Sequence, residues 1–260
     1  ADDDQLRWGL LTAQPLHEVS TAAYLIGRSE VTFADWIRFL RALPEAERAR
    51  RRPSLDGLHS AYGVNGAVRL EELPDGAFRL TLQPAARAYV ARAGEPIEYP
   101  DRAHRRRQDW LRLPVSGVSW EDAQAYCAWL DRSGQVPGAR PCDEREWERA
   151  ARGADDRLYP HGDILEGDDA NIDETYGRKP LGFGPDEVGS HPRSDSPFGL
   201  ADMAGNVWEL TRALGGGPLG RGGGWYQERF SSRSANRYPA EATLRTVDMG
   251  LRVCAPAPKD

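Results

Sequence analysis

Lysine is nearly absent from this chain of 260 residues: only Lys179 and Lys259 occur, so arginine carries the remaining positive charge. Forty acidic residues against 34 basic ones leave a formal net charge of −6. A whole-surface grip on phosphates is thereby excluded, and no nucleic-acid partner is expected. Two arginine runs stand against that balance. Arg48, Arg50, Arg51 and Arg52 form one, and Arg102, Arg105, Arg106 and Arg107 beside His104 form the other. Both sit among Pro, Glu and Asp without interleaved aromatics, which reads as solvated loop or a partner contact.

Cysteine is scarce as well. Cys127, Cys142 and Cys254 are odd in number, widely spaced and without a CxxC pair, so neither a disulfide framework nor a zinc knuckle is expected, and a reducing cytoplasm fits. No apolar run approaches the roughly 20 residues of a membrane helix, and no signal peptide opens the chain, so no membrane partner is expected. The first residue is Ala1 and not methionine, which fits a segment cut from a longer polypeptide. His17, His59, His104, His161 and His191 are scattered singly, each a surface or hydrogen-bonded histidine by this reading.

Core material is present. Eight tryptophans and a 40% hydrophobic share are interrupted by 27 glycines and 19 prolines, which predicts one domain of short elements joined by ordered loops.

Three helices share one opening device, a capping residue followed three positions later by an acid. Thr32 with Asp35 precedes a stripe of Phe33, Trp36, Ile37 and Leu40. Ser119 with Asp122 precedes Trp120, Ala123, Cys127 and Leu130, with Tyr126 beside them. Asp143 with Glu146 precedes Trp147, Ala150 and Ala151. These tryptophans read as core. Cys127 falls on an apolar face and reads as an inert buried thiol, whereas Cys142 lies at a helix start that could lower its pKa. Between Pro44 and Pro114 the chain is too long for a simple connection. Val68 and Leu70, a Pro74-Asp75-Gly76 turn, then Phe78, Leu80 and Leu82 predict a β-hairpin within this inserted segment.

Four stretches taken together resemble the formylglycine-generating-enzyme family, also called sulfatase-modifying-factor domains. They are SEVTFADWIRFL from Ser29, PVSGVSWEDAQAYCAWL from Pro114, EREWERAARG from Glu144, and a last group of GLADMAGNVWEL, RGGGW, RSANR and GLRVC. Their order and spacing are similar to those of that family. The resemblance implies an α+β fold related to C-type lectins, with small twisted antiparallel sheets, few helices and much ordered loop, as one domain over residues 1–260 with the insertion at about 44–114.

Family chemistry runs through two cysteines after the RGGSW strand that bind copper(I), as soft thiolates suit. Gln227 and Ser232 hold those places here, so neither copper nor the histidine-held iron of a related branch is expected. The resemblance implies calcium at Asp202, Gly205, Val207 and Glu209, a carboxylate and carbonyl set suited to a hard cation. A second calcium place begins at Asn171 and Ile172. It needs an aspartate where Leu181 stands before Gly182 and Phe183, a place for which Asp173 and Asp186 are the candidate substitutes.

The retained scaffold without its thiols implies a non-catalytic binding or regulatory module of a larger bacterial signalling protein, of the kind fused to kinases or caspase-like peptidases. Its partner would be a peptide or protein. The groove residues are Trp225, Tyr226, Gln227, Arg229, Ser232, Arg233, Asn236 and Arg237, which offer aromatic faces and bidentate donors. The alternative is a residual enzyme of the family, an oxidoreductase on a protein cysteine or a related activity, using Tyr226, Ser231 or Ser232 near Arg229. No adjacent histidine base supports it.

Overall fold

A computed structural model describes residues 17–55 and 66–258. His59 and Lys259, named above, lie outside the described residues. Along the chain run β1 (Tyr24–Ile26), α1 (Phe33–Arg41), α2 (Glu45–Arg51), β2 (Ser54–Leu55), β3 (Ala67–Glu72), β4 (Phe78–Gln83), β5 (Tyr89–Arg92), β6 (Ile97–Glu98) and β7 (Arg107–Gln108). There follow α3 (Trp120–Arg132), β8 (Arg140–Pro141), α4 (Glu144–Arg152), β9 (Trp208–Arg212), β10 (Pro218–Arg221), β11 (Tyr238–Pro239), β12 (Met249–Leu251) and β13 (Val253–Pro256). Small sheets and short helices make this a mixed α+β fold.

Each of the three capping boxes forms. Thr32, Ser119 and Asp143 each face the backbone three residues on, while Asp35, Asp122 and Glu146 reach back to the N-cap N–H. The box at Ser119 has a second use, because Asp122 is buried and also takes Arg51 at 2.9 Å and Arg245 at 2.7 Å. Trp36, Phe39, Tyr126 and Trp129 interlock between α1 and α3, with Trp36 stacked on Tyr126 at 5.3 Å.

The hairpin appears as β3 and β4, with Val68 opposite Leu82 and Leu70 opposite Leu80. Residues between Pro44 and Pro114 do more than predicted, since β2 and β5 extend the hairpin to four strands in the order β2-β3-β4-β5. Inward Val68, Leu70, Phe78, Leu80 and Leu82 join the main core.

Both arginine runs need correction. The first arginine run is not loop: Glu45–Arg51 is helix α2, held by Arg51–Glu47 at 2.8 Å and Arg48–Glu72 at 2.9 Å. Nor is Arg102 solvated, for its side chain is fully buried against Asp186. Arg105 pairs with Asp168 at 2.6 Å.

The expectation of no disulfide also fails. Cys142 and Cys254 are bonded, joining the start of α4 to β13 inside a small core with Trp147, Ala151 and Met203. Cys142 is therefore no reactive thiol. Cys127 is buried, and burial pushes its thiol up to about 12.

The last sheet carries the site. Its order is β11-β10-β9-β12, antiparallel except where β12 runs parallel to β9 with Gly250 beside Glu209. Among the described residues no helix is long and apolar enough to cross a membrane.

Candidate functional site

The chain leaves β10 through Gly222, Gly223 and Gly224. Gly222 and Gly223 hold φ of +90° and +76°, which L side chains rarely adopt, and a Cβ on Gly223 would stand 2.6 Å from Ser232 Oγ. This close crossing sets Trp225 beneath the surface while Tyr226 and Gln227 remain half-buried.

Three rings then meet. Phe183 lies 4.9 Å from Tyr226 and 6.3 Å from Trp225, and Trp225 lies 5.7 Å from Tyr226 between centroids. Gln227 Nε2 donates to Asp248 Oδ2 at 3.0 Å. Asp248 is buried, and burial raises its pKa against the lowering effect of that bond. Gln227 Oε1 and Trp225 Nε1 have no hydrogen-bond partner within the protein.

The remaining groove residues do not all gather there. Arg229 is exposed and forks onto Glu174 Oε2 at 3.0 and 2.5 Å. Arg237 turns to the start of α4, where it takes both Glu144 oxygens at 2.7 and 3.0 Å. Asn236 donates to the Ser231 carbonyl at 2.9 Å, and Arg233 lies over Phe230 at 4.7 Å. Ser232 is buried against Gly223 with no partner for its hydroxyl. Trp225, Tyr226 and Gln227 thus form one connected face, whereas Arg237 and Asn236 are tied into the scaffold.

The residues present do not fit a calcium ion at either expected place. Glu209 is fully buried and holds Arg252, with Nη2 to Oε1 at 2.6 Å and Nε to Oε2 at 2.9 Å, while Trp147 Nε1 donates to Oε2 at 2.6 Å. Arg252 also donates to the carbonyls of Gly27 at 3.0 Å and Ala201 at 2.8 Å, so both Glu209 oxygens are already taken by an anchored guanidinium and an indole N–H. Asp202 instead accepts the Gly189 N–H at 2.5 Å and faces Glu30. Burial, and then the Asp202 charge, push Glu30 well above the usual carboxylate range. Gly205 and Val207 are packed close, with a Cβ on Gly205 only 2.4 Å from the Asn171 carbonyl.

At the second place the Asn171 carbonyl accepts the Asn206 N–H at 2.8 Å and the Ile172 carbonyl accepts the Thr175 N–H at 3.1 Å. Asp173 pairs with Arg178 at 2.7 Å, and Asp186 pairs with Arg102.

Residues 2–257 match the model of the sulfatase-modifying factor enzyme 1-like domain, FGE-sulfatase. The chain belongs to that family. A bovine relative named inactive C-alpha-formylglycine-generating enzyme 2 is 38% identical over 109 residues, 39% of this chain and 33% of that protein. A formylglycine-generating enzyme of Mycobacterium tuberculosis is 31% identical over 224 residues, 76% of this chain and 66% of its own length. The serine/threonine-protein kinase pkn1 of Chlamydia caviae is 28% identical over 189 residues, 70% of this chain and 27% of the kinase. The matched stretch thus spans from about a quarter to two thirds of these relatives. In fold, PvdO from Pseudomonas aeruginosa superposes with a TM-score of 0.61 at 22% identity, covering 94% of this chain and 84% of that one.

Within this sulfatase-modifying factor domain, sequence reasoning missed Phe183, Glu174 and Asp248 as parts of the site. Phe183 carries a signal only as the aromatic after Leu181-Gly182. Asp248 lies upstream of GLRVC and reaches the site because β12 pairs beside β9.

Proposed function

We propose that this sulfatase-modifying factor domain is a non-catalytic recognition module that holds a peptide or protein partner against the face of Phe183, Trp225 and Tyr226. The observation that carries this reading is the Gln227–Asp248 hydrogen bond. A carboxamide bound to a buried carboxyl stands where the family chemistry needs a soft thiolate, and an amide neither ligates copper(I) well nor activates oxygen. Phe183 and Tyr226, half-buried and backed by the buried Trp225, supply apolar area at low entropic cost.

The relative named inactive and the kinase relative both support a domain that has no reaction of its own and belongs to a larger chain. Recognition of a carboxylate by Arg229 and Arg237, the expectation from sequence, loses support because Glu174 and Glu144 already neutralise them. The Cys142–Cys254 bond favours an oxidising compartment over the cytoplasm expected from cysteine count. The test is a binding screen against peptides from the same polypeptide and its genomic neighbours. Tyr226→Ala and Gln227→Ala should each weaken an identified partner about tenfold or more. Parent-like binding by both variants would remove this face from the account.

A further inference from the structure

Arg102 reaches into the turn from Gly182 to Asp186. Its Nε donates to the Gly182 carbonyl at 2.7 Å, its Nη2 to the Gly184 carbonyl at 2.7 Å, and its Nη1 to Asp186 Oδ1. The rings of Tyr99 and Tyr176 close over it with centroids 3.7 and 3.9 Å from Cζ. Neither the guanidinium nor the carboxylate is exposed to solvent.

The surroundings complete this cage. Tyr176 donates its hydroxyl to Asp186 Oδ2 at 2.6 Å, and His191 Nε2 lies 2.9 Å from the same oxygen. Asn171 Nδ2 donates to the Gly184 carbonyl at 3.0 Å. Two carbonyls and a carboxylate converging on one positive charge form the kind of oxygen shell that hard cations take. Gly184 has φ of +142°, and a Cβ there would stand 2.5 Å from the Tyr99 hydroxyl, so the turn is built around this stack. Burial pushes Asp186 up, yet the Arg102 charge together with the contacts from His191 and Tyr176 outweighs it and holds the carboxyl below its usual range.

We propose that Arg102 is the resident cation of this turn. Its guanidinium takes the position a calcium ion is expected to hold beside Asn171, and so fixes Phe183 against Trp225 and Tyr226 without a metal. Phe183 sits between the two carbonyls that Arg102 binds. A divalent ion would have to displace a guanidinium held between two rings, and the one carboxylate there is already neutralised. Arg102 acts through Phe183 and is a positioning residue. The claim does not depend on what the aromatic face binds.

Terbium(III) is the probe, because it takes calcium-like oxygen shells and Tyr99 and Tyr176 would sensitise its luminescence from this cage. The full chain, R102M, R102K and D186N are compared by terbium titration and by thermal unfolding. The expected result is no saturable terbium signal from the cage in the parent. R102M should melt about 10 °C lower, because it leaves a buried carboxylate unpaired. R102K, which keeps the charge but not the fork, should fall between them. The proposal is overturned by a saturable parent signal that calcium displaces and D186N abolishes, or by R102M melting with the parent. The terbium titration uses the unaltered chain, so it decides even where R102M does not fold.

Discussion

Gln227 and Asp248, 21 residues apart, meet at 3.0 Å where the turn after Gly224 passes the start of β12. This bond links the aromatic face to the β9–β12 pair beneath it. Asp248 is buried, and desolvation raises its pKa above the ordinary aspartate value even though Gln227 opposes the shift. The sign follows directly. A raised folded value gives a contribution fully present below the unfolded aspartate pKa of about 3.9, and lost as pH rises through the folded value. Asp248→Asn keeps an acceptor for Gln227 and removes that loss, so its melting temperature should exceed the parent's at pH 7 and the gap should close toward pH 4. A gap that widens on acidification contradicts this assignment.

Asp168 supplies the opposite sign. Its bond from Arg105 holds the carboxyl down to about 2, against the raising effect of partial burial and with help from His104. Its contribution is present above the unfolded value of about 3.9 and is lost as pH falls through 2. Asp168→Asn should therefore remove part of the parent's acid lability. Because Asp168 is half exposed, the effect at neutral pH should be small. Melting curves from pH 2 to 5 would measure it.

The disulfide predicts a thiol count. One free cysteine, Cys127, should resist a thiol reagent until the chain unfolds, and Cys142 and Cys254 should register only after reduction. Reduction should cost about 2–5 kcal/mol of stability. Three reactive thiols in unreduced, unfolded protein would show that the bond is not made.

Much of the scaffold could be read from sequence because its signals are local. Thr32 with Asp35, Ser119 with Asp122 and Asp143 with Glu146 each act within one helical turn, and all three boxes form. The β3–β4 hairpin is local too. Helix α2 escaped because Pro44 offers no side-chain cap and no residue of the helix is buried, so no apolar stripe announces it. Arg102 escaped for a different reason, since its partners lie 80 to 84 residues away and its neighbours in sequence are charged. Of the candidate site, Trp225, Tyr226 and Gln227 come together because they are adjacent in the turn that the glycines from Gly222 to Gly224 open. The pairings of Arg229 and Arg237 were not legible, because Glu174 and Glu144 claim those side chains from 55 and 93 residues away.

Those two arginines should behave differently on removal. Arg229→Ala breaks an exposed pair and should cost no more than about 1 kcal/mol. Arg237→Ala strands Glu144, which is 6% exposed, and should cost about 3 kcal/mol. Urea unfolding of both variants would separate them, and equal losses would contradict the scaffold role of Arg237.

Asp122 should outweigh its own capping partner. Ser119→Ala removes one cap at about 1 kcal/mol, whereas Asp122→Ala removes the cap contact and two ion pairs, leaving Arg51 only Glu47 and Arg245 only backbone carbonyls, and should cost about 2 kcal/mol or more. Similar losses in the two variants would mean that neither arginine depends on that carboxylate.

The proposed non-catalytic role is tested most directly by mass spectrometry of a sulfatase-derived cysteine peptide after incubation with the full chain, copper(I) and oxygen. With the Gln227 amide tied to Asp248, the peptide should come back with its cysteine unchanged. Conversion of that cysteine to formylglycine over repeated turnovers would contradict the non-catalytic reading.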